Sequence, residues 1–243
     1  MPVKDFRRNK IVATVGPSSS SREMLLALMQ AGADVFRLNF SHGQHADLVE
    51  TVASIRELSR NRRRAVAILG DLQGPKIRTG MMRGGSMALT AGQTVVVTTA
   101  EVLGEKDLIP TSYQELPQDV SNGDRILLDD GLLELQVEQV QDNRVHCRVL
   151  VGGELKNRKG MNLPGVKVSA PALTEKDLVD LDFSIDQELD YLALSFVRSA
   201  ADVIKLKELL YQRQSAVRVI AKIEKPEAVE NFSEILEVAD GIM

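Results

Sequence analysis

Apolar and polar positions alternate in two rhythms at the start of the chain. Lys10-Ile-Val-Ala-Thr-Val15 is a short apolar run stopped by Gly16-Pro17, which predicts a buried strand. Ser18 to Ser21 then offer helix caps, with Glu23 near the first turn. Met24, Leu25, Leu28 and Met29 recur at helical spacing, and Gly32 is placed to end that helix. Asp34-Val-Phe-Arg-Leu-Asn-Phe40 reads as a second strand. A second helix is predicted from Gln44 to Arg60, with Leu48, Val49, Val52, Ile55 and Leu58 on one side, and Ala65-Val-Ala-Ile-Leu69 is a third strand. Strand, helix, strand, helix, strand implies a parallel sheet with right-handed crossovers.

From Gly74 the texture changes. Thr94–Thr99, Arg125–Leu128, Leu132–Val140 and Arg144–Val151 read as short strands. Asp130-Gly131, Asp142-Asn143 and Gly152-Gly153 punctuate them as turns. No convincing amphipathic helix returns before Thr174, so 74–171 reads as a small all-β domain. The alternation then resumes. Thr174 caps a helix, Tyr191–Phe196 is a strand, and Ser199 caps a helix lined by Val203, Leu206, Leu209 and Leu210. Val217–Ile223 is a strand, and Pro226 opens a last helix running to Val238. Gly241-Ile-Met243 begins one more strand. A β domain therefore interrupts an α/β domain made of 1–73 and 172–243. A (β/α)8 barrel usually needs about 250 residues, whereas an open doubly wound sheet is complete at this size. The strand count alone leaves both open.

Composition narrows the function classes. The 243 residues are 44% hydrophobic and 26% charged, ordinary values for a globular chain. Basic residues number 30 and acidic ones 34, a net charge of −4, which sets aside a nucleic-acid coat protein. No apolar run approaches the roughly 18 residues needed to span a bilayer, and the charged N-terminus lacks the apolar core of a secretory signal. One cysteine, Cys147, allows no intrachain disulfide and fits a reducing cytoplasm. It sits in an apolar strand and reads as core. His45 and His146 have no metal-like spacing, and Arg60 and Arg62 to Arg64 suit a helix C-terminus.

Three segments carry candidate chemistry. In Phe36-Arg-Leu-Asn-Phe-Ser-His-Gly43, strand alternation puts Arg37, Asn39 and Ser41 on one face, at the C-terminal end where parallel sheets bind ligands. The guanidinium suits a phosphate or carboxylate, and Asn39 and Ser41 carry neutral oxygens that hard cations accept. In Ile220-Ala-Lys-Ile-Glu-Lys225, Lys222 and Glu224 are two apart. The carboxylate can hold a divalent metal, and the ammonium can stabilise charge developing on an oxygen. Gly70-Asp-Leu-Gln-Gly-Pro-Lys-Ile-Arg-Thr-Gly80 lies at the domain junction, with Asp71 ending a strand and Lys76 and Arg78 two apart. The competing accounts are bland: a hydrogen-bonded strand end, a terminal salt bridge and a glycine-rich linker.

These three segments, with Asn9–Pro17 and Lys159-Gly-Met-Asn-Leu-Pro-Gly165, resemble pyruvate kinase in order and spacing over the whole chain. The resemblance implies an incomplete (β/α)8 TIM barrel interrupted by a small all-β, barrel-like lid. It implies phosphoryl transfer from phosphoenolpyruvate to ADP, giving pyruvate and ATP, the last step of glycolysis. By motif position, Arg37 grips the phosphate and Lys222 stabilises the phosphoryl group and the enolate. Glu224 holds Mg²⁺ or Mn²⁺. Asn39, Ser41, Asp71 and the main-chain oxygen of Leu72 surround a potassium ion. His42, Arg78 and Lys159 approach the nucleotide. Lys76 stands where potassium-dependent members carry Glu, and a tethered ammonium is able to replace the monovalent ion, so the resemblance leaves potassium dependence open. The family's second metal-binding carboxylate, last barrel strands and C-terminal domain are not in this sequence, so the chain is expected to be inactive alone. A cytoplasmic homo-oligomer is implied, tetrameric in the complete family member. Two other classes stay in view: a non-catalytic scaffold, indifferent to Lys222, and another metal-dependent barrel enzyme acting on pyruvate-like acids, active without nucleotide.

Overall fold

The computed structural model describes residues 9–41 and 43–243. The chain divides into two compact units, Met1–Pro75 with Ala172–Met243, and Lys76–Pro171. In chain order the first unit opens with β1 (Val12–Val15), α1 (Arg22–Ala31), β2 (Val35–Asn39), α2 (His45–Arg62) and β3 (Ala67–Asp71). The second unit holds β4 (Ser86–Leu89), β5 (Thr94–Thr98), β6 (Leu108–Pro110), α3 (Leu116–Asp119), β7 (Arg125–Leu128), β8 (Leu133–Gln141), β9 (Arg144–Val151), β10 (Gly153–Lys156) and β11 (Met161–Asn162). The first unit resumes with α4 (Glu175–Asp186), β12 (Tyr191–Leu194), α5 (Ala200–Gln212), β13 (Arg218–Ala221), α6 (Pro226–Glu230), α7 (Phe232–Val238) and β14 (Gly241–Ile242).

The strand order of the first unit settles the ambiguity left by the sequence. Its 6-stranded sheet runs β1-β2-β3-β12-β13-β14, every neighbour parallel. Each strand pairs with the next in chain order and the winding never reverses. That is the succession of a (β/α) barrel, and the reversal that defines a doubly wound sheet does not occur. Phe36, Leu38, Phe40, Ile55, Ile68, Leu192, Leu194 and Leu206 are fully buried in one core between strands and helices.

Caps appear where side chains allow them. Ser21 Oγ accepts from the Met24 N–H at 3.3 Å, and Gly32 closes α1 with φ 115°. Thr174 and Asp177 form a capping box on α4, as Ser199 and Asp202 do on α5. Asp177 is fully buried, and its Oδ1 also accepts the Gly74 N–H at 3.1 Å. Gly74 has φ +68°, and a Cβ there would lie 2.9 Å from the Phe196 ring, so the loop after β3 needs glycine twice over. The predicted third strand shifts two places, because its ladder with β2 starts at Val35 opposite Ala67. The last helix is two helices, with Asn231 ending one and opening the next while its Nδ2 donates to Arg198 O at 2.9 Å.

The second unit is a 6-stranded sheet, β11-β7-β8-β9-β5-β6, with a separate pair β10-β4. Val95, Val97, Ile126, Leu135, Val137, Val145 and Cys147 alternate inward to build its core. It is not wholly β, since α3 adds one turn that starts at Leu116 with Pro117 in its first turn. Tyr113 and Asp119 are hydrogen-bonded through the phenol, and the Ser169 N–H donates to Asp119 Oδ2 at 2.8 Å, which pins the end of this unit to its own body. Burial and the neighbouring Asp119 push the Tyr113 phenol upward.

Two outcomes are expected. Asp177→Ala strands three donors, from Thr174 N, Thr174 Oγ1 and Gly74 N. It should lower unfolding free energy in urea by about 2–4 kcal/mol, against about 1 kcal/mol for Thr174→Ala. Equal losses would show that the buried carboxylate is not the hub of this corner. Secondly, burial, with a smaller push from Glu138, raises the Cys147 thiol from 9.0 to about 12. The folded thiol then keeps its proton while the unfolded one loses it above pH about 9. This group's stabilising contribution is whole below that pH and disappears as pH climbs toward 12. A disulfide exchange reagent at pH 8 should modify Cys147 only once urea unfolds the chain, and rapid native labelling would contradict the burial.

Candidate functional site

The C-terminal tips of the parallel strands gather four charged side chains in the first unit. Asn39 on β2 pairs in register with Asp71 on β3, and Arg37 pairs with Thr14 on β1. Arg37 Nε donates to Asp71 Oδ2 at 2.7 Å, its Nη2 contacts the same oxygen, and Nη1 donates to Thr14 Oγ1 at 2.9 Å. Asp71 is only 2% exposed. Its other oxygen, Oδ1, lies 3.3 Å from Lys222 Nζ. One buried carboxylate therefore separates two cations carried by β2 and the end of β13. Their tips are not neighbours, since β3 and β12 stand between them.

Lys222 and Glu224 lie just past the strand, which ends at Ala221. The ladder continues one step as Lys222 N–H donates to Leu194 O at 3.0 Å. Lys222 Nζ has three acceptors: Asp71 Oδ1, Ser195 Oγ at 3.0 Å and Glu224 Oε1 at 3.1 Å. Glu224 Oε2 accepts the Phe196 N–H at 2.9 Å. Phe196 reaches that position with φ 55°, a left-handed conformation rare for a bulky residue. Its ring lies 5.3 Å from Lys225 Nζ. Burial lowers the Lys225 ammonium from its usual range, opposed by Glu227 and Glu224.

Asn39 and Ser41 meet at the end of β2, where Asn39 Oδ1 accepts the Ser41 N–H at 3.0 Å. The Leu72 carbonyl accepts from Ser195 Oγ at 2.6 Å. Lys76, Arg78 and Lys159 belong to the other unit. There Arg78 Nη1 donates to Arg158 O at 2.9 Å, and Lys159 Nζ pairs with Asp129 Oδ1 at 2.8 Å. His42 lies outside the described residues. Ser195, Thr14 and Phe196 escaped the sequence reading. The signal for Ser195 was present, a hydroxyl closing the apolar run Tyr191-Leu-Ala-Leu at the C-terminal end of a strand.

The geometry suits an anion and a divalent ion. Arg37 commits three of its five N–H groups and keeps two for a ligand. No group of three or more His, Cys, Asp or Glu able to hold a metal occurs among the described residues. Glu224 nevertheless fits Mg²⁺ chemistry, which takes one or two carboxylates and fills its other positions with water and phosphate oxygens. Each Glu224 oxygen accepts only one protein donor, so lone pairs remain. The four oxygens of Asn39, Ser41, Asp71 and Leu72 are of the type a monovalent ion accepts, but the Asp71 charge is already shared by Arg37 and Lys222.

Comparison with known proteins gives one answer. The family description "Pyruvate kinase, barrel domain" matches residues 6–243. Pyruvate kinase of Geobacillus stearothermophilus is 49% identical over 240 residues, covering 98% of this chain and 41% of that protein. Pyruvate kinase of Staphylococcus aureus (strain USA300) is 46% identical over the same shares. The crystal structure of a pyruvate kinase from Cryptosporidium parvum superposes with a TM-score of 0.92 at 41% identity, covering 98% of this chain and 50% of that one. The chain spans about two-fifths of the length of these bacterial relatives. It belongs to the pyruvate kinase family.

Proposed function

We propose that the protein carrying this sequence transfers a phosphoryl group from phosphoenolpyruvate to ADP. The P–O bond to the enol oxygen breaks, a bond forms to the ADP β-phosphate oxygen, and the enolate takes up a proton to become pyruvate. The observation that carries this reading is the convergence of Arg37 and Lys222 on one buried Asp71, with Glu224 against the same ammonium. Phosphoryl transfer needs positioning and charge neutralisation more than covalent help. The two uncommitted Arg37 donors grip the phosphate. The Lys222 ammonium faces the oxygens on which charge develops. Glu224 would hold Mg²⁺ or Mn²⁺, which when bound neutralises phosphate charge. Lys159, Arg78 and His42 serve the nucleotide. Asn39, Ser41, Asp71 and the Leu72 carbonyl form the potassium set, and the Lys76 ammonium is the competing candidate for the same charge. The proposed location is the cytoplasm, where phosphoenolpyruvate and ADP would be met. Among the described residues no helix is long and apolar enough to cross a membrane.

A coupled assay with phosphoenolpyruvate, ADP and Mg²⁺ tests this. Lys222→Met should lower kcat by about 10²–10³-fold with a much smaller change in the KM for phosphoenolpyruvate. Glu224→Gln should raise the Mg²⁺ concentration for half-activation at least about tenfold. An unaltered rate in the lysine variant would refute the assignment, and turnover without nucleotide would point to a different reaction on pyruvate-like acids.

A further inference from the structure

The sheet order places Ser195 at the tip of a central strand. β12 lies between β3 and β13, so its tip touches the ends of both. Leu72 N–H donates to Ala193 O and Lys222 N–H to Leu194 O, each at 3.0 Å, which carries the two ladders up to Ser195. Ser195 is 3% exposed. Its hydroxyl has one hydrogen, and two acceptors compete for it: Leu72 O at 2.6 Å and Asp71 Oδ1 at 3.5 Å. The shorter contact takes the hydrogen. The oxygen lone pairs are then left for Lys222 Nζ at 3.0 Å. A hydroxyl that could rotate is held in one sense by the backbone of the neighbouring strand.

We infer that Ser195 is the positioning residue for Lys222, with its hydrogen committed to the Leu72 carbonyl so that its oxygen receives the ammonium. The two carboxylates that also hold Lys222 attract it by charge, which fixes distance more than direction. The lysine stem is flexible and its ammonium is a point charge. A neutral acceptor on the rigid tip of a central strand supplies the third direction without adding negative charge. The inference rests on the proposed role of Lys222 for its chemical meaning, though the contact itself does not.

Competitive acetylation of the 243-residue chain, read at each lysine by mass spectrometry, tests this without requiring turnover. Ser195→Ala should make Lys222 react about fivefold faster, the factor that one net hydrogen bond of ordinary strength is worth. Lys159 and Lys207, held by Asp129 and Asp240, should keep their rates. Ser195→Cys keeps a similar volume with a poor acceptor and should behave like the alanine variant, whereas Ser195→Thr should restore the original rate. An unchanged Lys222, a rise shared by every lysine, or a threonine variant that behaves like alanine would each overturn the role. In the coupled assay Ser195→Ala should cost kcat a similar factor with the KM for phosphoenolpyruvate within about twofold. A KM effect with kcat intact would equally overturn it. Absence of ATP formation by the whole protein that carries this sequence would remove the functional reading instead, while the labelling result on the 243-residue chain stands by itself.

Discussion

The charged rim of the first unit depends on the Asp71 carboxylate. It is almost wholly buried, and it meets a guanidinium on one oxygen and an ammonium on the other. Without it, two partly buried cations would face each other at the strand tips. With it, neither needs to turn outward to water. Arg37 is a quarter exposed and Lys222 less, which leaves each partly open toward a ligand. The remaining contacts of the site follow from this arrangement: Thr14 steadies the guanidinium, and Ser195 and Glu224 steady the ammonium.

Winding decides which side chains can meet. Because the sheet is singly wound, the residues after each strand appear along the rim in chain order. Asp71 therefore sits between Arg37 on one side and Ser195 and Lys222 on the other, although 151 positions separate Asp71 from Lys222. A reversed order would place the same residues at a switch point with different neighbours. The inserted unit leaves from the end of β3 and returns before α4, and the Gly74–Asp177 bond ties those two ends of the first unit together. The rim thus stays continuous across a long excursion of the chain.

Much of this was legible in the residues. Arg37, Asp71, Lys222 and Glu224 could be selected because charged groups at the C-terminal ends of apolar strands are costly without a use. The capping boxes at Thr174 and Ser199 were equally plain, because their partners lie three positions away. What could not be read depends on distance in the sequence. Which strands are neighbours is a tertiary fact, so the hub that joins Arg37 to Lys222 was invisible. Ser195 ended a run that parity alone would leave as core. The break at Asn231 was hidden because Ala228 and Ile235 keep an apolar rhythm across it. The strands Ser86–Leu89, Leu108–Pro110, Gly153–Lys156 and Met161–Asn162 are too short for alternation to show.

Stability does not account for the charges at this rim. A buried ion pair repays its desolvation only with good geometry, and apolar residues of like volume often do as well or better. Four ionised groups in contact at the strand tips are a poor way to hold a sheet whose core is already Phe36, Phe40, Leu192 and Leu194. The arrangement makes sense as preorganisation. On the proposed function, partners on the rigid ends of strands orient the cations, which limits the reorganisation needed when charge develops. Phe196 supports the same view, since a left-handed aromatic residue is retained where its N–H holds the carboxylate beside the ammonium. Strain and buried charge coincide on one edge of the sheet, the edge where parallel β/α folds place their chemistry.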